Sequence, residues 1–497
     1  MNLASCIKSI NNPKFFKHAQ IGIPIIATLF FASYLNKPLF RDEAFSYSSS
    51  LQSLSGLLNE LKLTNLPYAF YYLIMHFWLA FAKNIVWMRA FSIISYGLSV
   101  HYAGKIASGR FNPRIGIFVS IFVATNPLLI QVSTYGRPYT FTALIVCLFF
   151  NELMKISQNR VHSFKFFTCL TIALLLLNIF SMIIIVSGLV YIYLSNKNSG
   201  TKNLHYSSLL FMSIFSLIYI SLLRTQPSGL NWISDYFHSI PVWINLEGPA
   251  SSSTGLFPIA GSSLYPIGVL ALLSLGAISY LATRKNPSLR LVDRWDLGLI
   301  ATWAFLPTVA MVGISLVHPI YITRYITYSV PGLAILMAIA CESIYTNFTL
   351  IKSKIVKPIL FSAVLGAALV WTFITCDIPV AKTYAYNLWA AEKYIASNGG
   401  PNAEIVLPTI SLETAITYYA NIDHNTFTYW PQGKNIWSAT SLNLDQATFA
   451  AASSNVWLVY ENSYDDAPIV ASLREHGYAQ TGTTLIEGVA LIHFEKH

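Results

Sequence analysis

Four nearly uninterrupted apolar blocks, Ile21–Leu35, Ile115–Val132, Leu264–Leu281 and Pro358–Thr375, constrain this chain more than any other feature. Each approaches the ~20 residues a helix needs to cross ~30 Å of hydrocarbon. Lipid offers no hydrogen bonds, so such segments must satisfy their backbone internally, as helices do. Composition agrees: 54% hydrophobic residues, 10% charged residues and a mean hydropathy of +0.53 lie outside the soluble globular range. The expected fold class is an α-helical polytopic membrane protein.

The formal charge of +10 raises the question of a nucleic-acid partner, but the basic residues do not form a patch interleaved with exposed aromatics. They flank the apolar blocks, as the positive-inside rule requires, and imply contact with membrane lipids rather than nucleic acid. Lys8, Lys14 and Lys17 precede the first block, which has no small-residue cleavage site and reads as an uncleaved span. The five cysteines (Cys6, Cys147, Cys169, Cys341, Cys376) lie in or beside spans, with no disulfide framework or zinc spacing, and read as buried hydrophobes.

Two segments leave the span count open. Leu66–Ala82 is apolar enough to cross, but crossing would put the Lys105/Arg110/Arg114 loop outside, so it is expected to lie along the outer interface. Phe164–Leu194 would make a helix of roughly 46 Å, too long for one upright pass, and a break near Asn178 is expected. The loops carrying Lys155/Arg160/Lys165, Lys197/Lys202, Arg284/Lys285/Arg290/Arg294 and Lys352/Lys354/Lys357 then all fall on the cytoplasmic side. That parity predicts about eleven spans. The outer segments are Asn36–Ala82, Ser133–Pro138, Thr225–Ser262, His318–Arg324 and everything after Cys376.

The chain is accordingly divided into a transmembrane part, 1–376, and an extracytoplasmic α/β domain, 377–497. In the latter, Tyr384–Ser397, Leu412–Tyr419 and Pro468–His476 read as helices, the last stopped by Gly477, and Glu404–Leu407 and Val456–Tyr460 read as strands. No Gly-rich phosphate fingerprint is present there.

Arg41-Asp42-Glu43-Ala44 follows the first span. Carboxylates at the hydrocarbon boundary are costly and often functional, although the pair would also cap a helix over Ala44–Ser50. Tyr68, Tyr72 and His76, at four-residue spacing beyond Pro67, would share one helix face, either lining a sugar pocket or forming an interfacial aromatic belt. Arg137, in Ser133-Thr134-Tyr135-Gly136-Arg137-Pro138-Tyr139, and Arg324, in His318-Pro319-Ile320-Tyr321-Ile322-Thr323-Arg324-Tyr325, sit at outer span ends, where the positive-inside rule disfavours them. A guanidinium there suits a phosphate diester, or snorkels to lipid phosphates in general. Tyr139, His318 and Tyr321 complete the candidate pocket.

In order and sidedness these segments resemble the GT-C superfamily of polyprenyl-phosphate-dependent glycosyltransferases, which includes protein O-mannosyltransferases and the lipid A aminoarabinose transferase. Asp42-Glu43 matches the family's first-loop acidic pair. Asn65-Leu66-Pro67-Tyr68 with Phe70-Tyr71-Tyr72 matches an interfacial His-Pro-Pro-Leu-Tyr-Tyr-like helix, and Met88-Arg89-Ala90-Phe91-Ser92 matches a span start. Tyr135-Gly136-Arg137-Pro138-Tyr139 and Pro319–Tyr325 with Pro331-Gly332 echo two later motifs. Asn65 and Asn178 stand where relatives carry histidine. The resemblance implies a sugar donor on polyprenyl phosphate, mannose first among candidates, and a cell-envelope glycan, lipid or protein as acceptor. It further implies inversion at the anomeric carbon, Asp42 as general base with Glu43 orienting the acceptor or Arg41, and Arg324 with Arg137 on the departing phosphate. Some relatives bind a divalent cation near the first-loop acid, and the metal is left open. A transporter of a lipid-linked or anionic substrate is the alternative; it predicts charges at mid-membrane rather than at one face.

Overall fold

The computed structural model describes residues 13–61, 68–157, 164–195, 242–251, 264–283, 293–347, 356–382, 387–399, 403–407, 454–461 and 467–496, with 233–234, 237–238, 418 and 426–428 between them. The helices are α1 (Pro13–Ala32), α2 (Arg41–Leu51), α3 (Leu54–Glu60), α4 (Ala69–Leu79), α5 (Ile85–Arg110), α6 (Pro113–Ala124), α7 (Pro127–Ser133), α8 (Tyr139–Ser157), α9 (Phe164–Leu177) and α10 (Met182–Ser195). They continue with α11 (Leu264–Thr283), α12 (Arg294–Ser315), α13 (Val330–Asn347), α14 (Val356–Thr372), α15 (Ile378–Lys382), α16 (Leu388–Asn398) and α17 (Ala467–Glu475). Among the described residues four helices are long and apolar enough to cross a membrane by themselves, and five if the bent pair α6–α7 counts as one span. Further apolar helices are shorter, and the span expected just before Thr225 lies outside the described residues, as do Asn65, Pro67, Lys197, Lys202, Arg284, Lys285, Arg290, Lys352 and Lys354.

The expected break falls at Asn178. Its side chain accepts the N–H of Phe180 at 3.0 Å and caps a single 3-10 turn, Ile179–Ser181, between α9 and α10. Leu66–Ala82 does not span as one helix: α4 is only 11 residues long and packs on α2. Small residues let α5 and α6 close up. A Cβ placed on Gly116 of α6 would fall 2.8 Å from the Gly104 carbonyl of α5, so this contact requires glycine.

Polar clamps sort the helix ends. Arg110 Nε donates to Asp296 Oδ2 at 2.7 Å and the Tyr191 hydroxyl to Oδ1 at 2.9 Å, joining the ends of α5 and α10 to the start of α12. Arg114 pairs with Glu342 at 3.1 Å, and Asn347 donates to the Ser279 carbonyl at 3.0 Å, bringing α6, α13 and α11 to the same end of the bundle. Asp42, Arg137 and Arg324 sit together at the opposite end. Of the cysteines, Cys147, Cys341 and Cys376 are buried as expected, whereas Cys169 is exposed because it lies on the outward face of α9.

The C-terminal sheet has strands β1 (Glu404–Leu407), β2 (Thr426–Thr428), β3 (Asn455–Glu461), β4 (Tyr478–Ile486) and β5 (Val489–Lys496), in the order β2-β1-β3-β5-β4. The first three are mutually parallel, and β5 runs antiparallel to both neighbours. Gly477, at φ +85°, ends α17 as expected. The helix expected over Leu412–Tyr419 lies, apart from Tyr418, outside the described residues. The last long apolar helix does not stop at Cys376. Pro379 has no N–H for the Thr375 carbonyl, and α14 passes through a π-helical turn, Phe373–Asp377, into α15.

Candidate active site

The site is assembled by one buried ion pair. Helix α2 begins at Arg41, three residues earlier than expected, so Asp42 and Glu43 occupy its first turn rather than its cap. Glu43 is fully buried and reaches back to the Phe40 N–H at 3.2 Å. It receives two parallel hydrogen bonds from the fully buried Arg89 of α5, each 2.8 Å, and the Gly136 N–H at 2.6 Å. The rest of the Arg89 guanidinium donates to the carbonyls of Leu35, Lys37 and Pro38 at 2.6, 2.7 and 3.0 Å. Such forked geometry suits arginine alone. Glu43 therefore joins the first loop, α5 and the Gly136 turn. With these donors on both oxygens it is placed to hold the scaffold, in contrast to the expected role of orienting an acceptor or Arg41.

Asp42, one residue earlier on the helix, points the other way. Its Oδ2 lies 3.3 Å from Arg324 Nη2, and the arginine side chain is 6% exposed against 21% for the acid, so the carboxylate is the accessible member of the pair. Arg324 is carried by the 3-10 helix Thr323–Ser329 between α12 and α13. This irregular segment is pinned from several sides. Asn178 donates to the Tyr325 carbonyl at 2.9 Å, Trp303 to that of Tyr328 at 2.8 Å, and the Tyr328 hydroxyl to the Phe180 carbonyl at 3.0 Å. Just before it, Ser315 Oγ accepts the N–H groups of Ile320 and Tyr321 at 3.0 and 2.9 Å.

Arg137 closes the cluster from the turn between α7 and α8. Its Nη1 donates to the Asp42 carbonyl at 3.1 Å, to Ser46 Oγ at 2.7 Å and to the Tyr72 hydroxyl at 3.3 Å. The guanidinium lies 5.4 Å from the Tyr68 ring and 5.9 Å from the Tyr139 ring, and that of Arg324 lies 5.6 Å from the ring of Tyr325. Burial holds the Tyr68 phenol well above its ordinary pKa, with Tyr325 and Tyr139 adding to the effect and Arg137 and Arg324 opposing it, so Tyr68 stays a proton donor. Among the described residues Arg137 Nε and the Tyr139 hydroxyl are buried with no hydrogen-bond partner, a cost that a ligand would relieve. Lys37 flanks the cluster, its Nζ 2.7 Å from Thr134 Oγ1 and 3.5 Å from the Tyr135 ring centre. Burial, then repulsion from Arg89, pushes its pKa well below the usual lysine range.

Of the expected pocket residues, Tyr68, Tyr72 and Tyr139 meet at the arginines, and Tyr321 is fully buried in the turn leading to Arg324. Two are turned elsewhere. His76 Nδ1 donates to the Ser50 carbonyl at 3.0 Å, tying α4 to the end of α2, and His318 is exposed at the end of α12. Sequence reasoning missed the anchoring by Arg89, and it missed Tyr325 and Ser46. The only signal for Arg89 was its place in Met88-Arg89-Ala90-Phe91-Ser92 at the expected start of a span.

The donor set does not fit a protein-held divalent cation. Among the described residues no three His, Cys, Asp or Glu side chains gather, Glu43 is occupied by Arg89, and the group facing Asp42 is a guanidinium.

No family model matches the chain, and no curated protein sequence matches it. Solved structures do. ArnT from Cupriavidus metallidurans in the apo state superposes with a TM-score of 0.56 at 11% identity, over 95% of this chain and 97% of that one. The same protein bound to undecaprenyl phosphate gives 0.53 at 12%, over 97% and 98%. The Archaeoglobus fulgidus oligosaccharyltransferase, tethered to an acceptor peptide containing the NVT sequon, gives 0.50 at 11%, over 94% of this chain and 69% of that one. At such identities the likeness is one of fold alone, a GT-C-like one that is mostly helical with a small C-terminal sheet domain.

Proposed function

We propose that the chain is an inverting glycosyltransferase that moves a sugar, mannose being the first donor to assay, from polyprenyl phosphate to a cell-envelope acceptor at the outer face of the membrane. The observation that carries the reading is the Asp42–Arg324 pair, with Arg137 bound to the Asp42 carbonyl. Near-complete coverage of a structure bound to undecaprenyl phosphate supports the donor class. The clustering of these charges at one end of the bundle favours this over transport, which calls for a site near the midplane.

The acceptor hydroxyl attacks the anomeric carbon, the bond from that carbon to the phosphate oxygen breaks, and the proton passes to Asp42. The phosphate leaves as polyprenyl phosphate, its negative charge met by the guanidinium groups of Arg324 and Arg137, a kind of electrostatic support worth several kcal/mol, on the order of ~3. Before donor binds, Arg324 is the partner of Asp42. A phosphodiester entering beside Arg324 competes for the guanidinium and leaves the carboxylate able to accept a proton.

Arg324→Ala should therefore raise the donor KM or abolish turnover in a folded protein, and Arg324→Lys should restore only part, because a point charge lacks the forked geometry. Unchanged kinetics in Arg324→Ala would refute the assignment. For orientation, a cysteine placed at Arg290 on a cysteine-free background should resist an impermeant maleimide in intact cells. Labelling from outside would invert the topology.

A further inference from the structure

Outside the active site, a second acid stands out. Asp377 is fully buried, and among the described residues neither carboxylate oxygen has a hydrogen-bond partner. It closes the π-helical turn Phe373–Asp377 on a helix that is otherwise mostly exposed and apolar. The turn and α15 pack against α7, where the α6–α7 span bends by 59°. Among the described residues the titratable groups that interact with it include Tyr96 of α5, Tyr265 of α11 and the adjacent Cys376, and α7 brings none. Both phenols have other partners. The Tyr96 hydroxyl donates to the Ala124 carbonyl at 2.6 Å, and that of Tyr265 accepts from Asn126 Nδ2 at 3.1 Å.

A bare carboxylate in such a place is not tolerated, so something must neutralise it. A hard metal ion asks for about six oxygen ligands, and here the nearby phenols are engaged and no further carboxylate, histidine or cysteine cluster is present among the described residues. A proton asks for none. We infer that Asp377 is a proton-binding site, held as an uncharged carboxylic acid between the bend in the α6–α7 span and the exit helix α14–α15. Helix α7 leads directly into the turn carrying Arg137, and α15 leads into the C-terminal part of the chain, so the proton keeps the root of that part seated against the element that positions the active-site arginine. Raising the pH places a charge in this dry contact and loosens it. An acid protonated in the fold contributes stability at low pH that is lost as pH rises through its folded titration.

The test uses the full-length protein in nanodiscs and dicyclohexylcarbodiimide, an apolar reagent that modifies protonated buried carboxyls. Peptide mass spectrometry should find Asp377 modified, with the rate falling up to tenfold per pH unit above the titration midpoint and unaffected by Na⁺ or K⁺. Asp377→Asn, neutral and of the same shape, should fold with an undiminished Tm that declines less with rising pH than that of the natural chain. Protection by millimolar Na⁺ or K⁺ would identify a metal ion instead. Absence of modification at every pH, or an Asp377→Asn protein that is markedly less stable, would also overturn the assignment. None of these readouts requires glycosyl transfer.

Discussion

Replacing Asp42 by Asn is expected to leave donor binding intact while transfer falls by about 10²–10⁴, the range for loss of a positioned acid–base group. The amide keeps the shape of the side chain and can still accept from Arg324, but it cannot take a proton. If Asp42 were only a helix cap, Asn would serve as well and activity would be near normal. Asp42 lies inside the first turn of α2, its Oδ2 is 3.3 Å from Arg324, and its side chain keeps contact with solvent. Measuring transfer and donor binding on the same preparation decides between the two readings.

Arg89→Ala should be the most damaging single change to folding. Both partners of the Arg89–Glu43 pair are fully buried, and removing one leaves an uncompensated charge, a loss of about 3–5 kcal/mol in comparable cases. It also takes away the donor to the carbonyls of Leu35, Lys37 and Pro38. Thermal unfolding in detergent should show a large drop in Tm or no folded protein. Arg89→Lys should recover little, because an ammonium cannot make the forked contact to Glu43 while serving three carbonyls. A protein with near-natural Tm and activity after Arg89→Ala would show that the first loop is held by something else.

Block length and one overlong apolar segment pointed to a break near Asn178, and the break is there, because lipid leaves so few solutions for long apolar segments. Asp42, Arg137 and Arg324 stood out for a related reason, since charges expected on the disfavoured side of a membrane need an explanation, and the structure brings the three together. What was not legible is the difference between the surroundings of Asp42 and Glu43. It depends on Arg89, 46 residues away, and on which way successive side chains of α2 point once the helix begins at Arg41. His76 was misplaced because spacing on a helix specifies a shared face but not the neighbour it meets, and the end of α4 meets Ser50. The β4–β5 hairpin went unread although Glu487-Gly488 is its turn, with φ +43° and +86°. Glutamate is uncommon at the first of those positions, where Asn or Asp gives the stronger signal.

The central claim is that the chain transfers a sugar from polyprenyl phosphate with inversion. The most direct measurement is to supply purified protein in nanodiscs with anomerically pure polyprenyl-phospho-mannose and an envelope extract as acceptor, and to follow polyprenyl phosphate release together with the anomeric configuration of the product. Release should depend on Asp42 and Arg324, and the product should have the opposite configuration to the donor. Release with retained configuration, or undiminished release by Asp42→Asn, would contradict it, as would a folded preparation that consumes no polyprenyl-phosphate hexose or pentose.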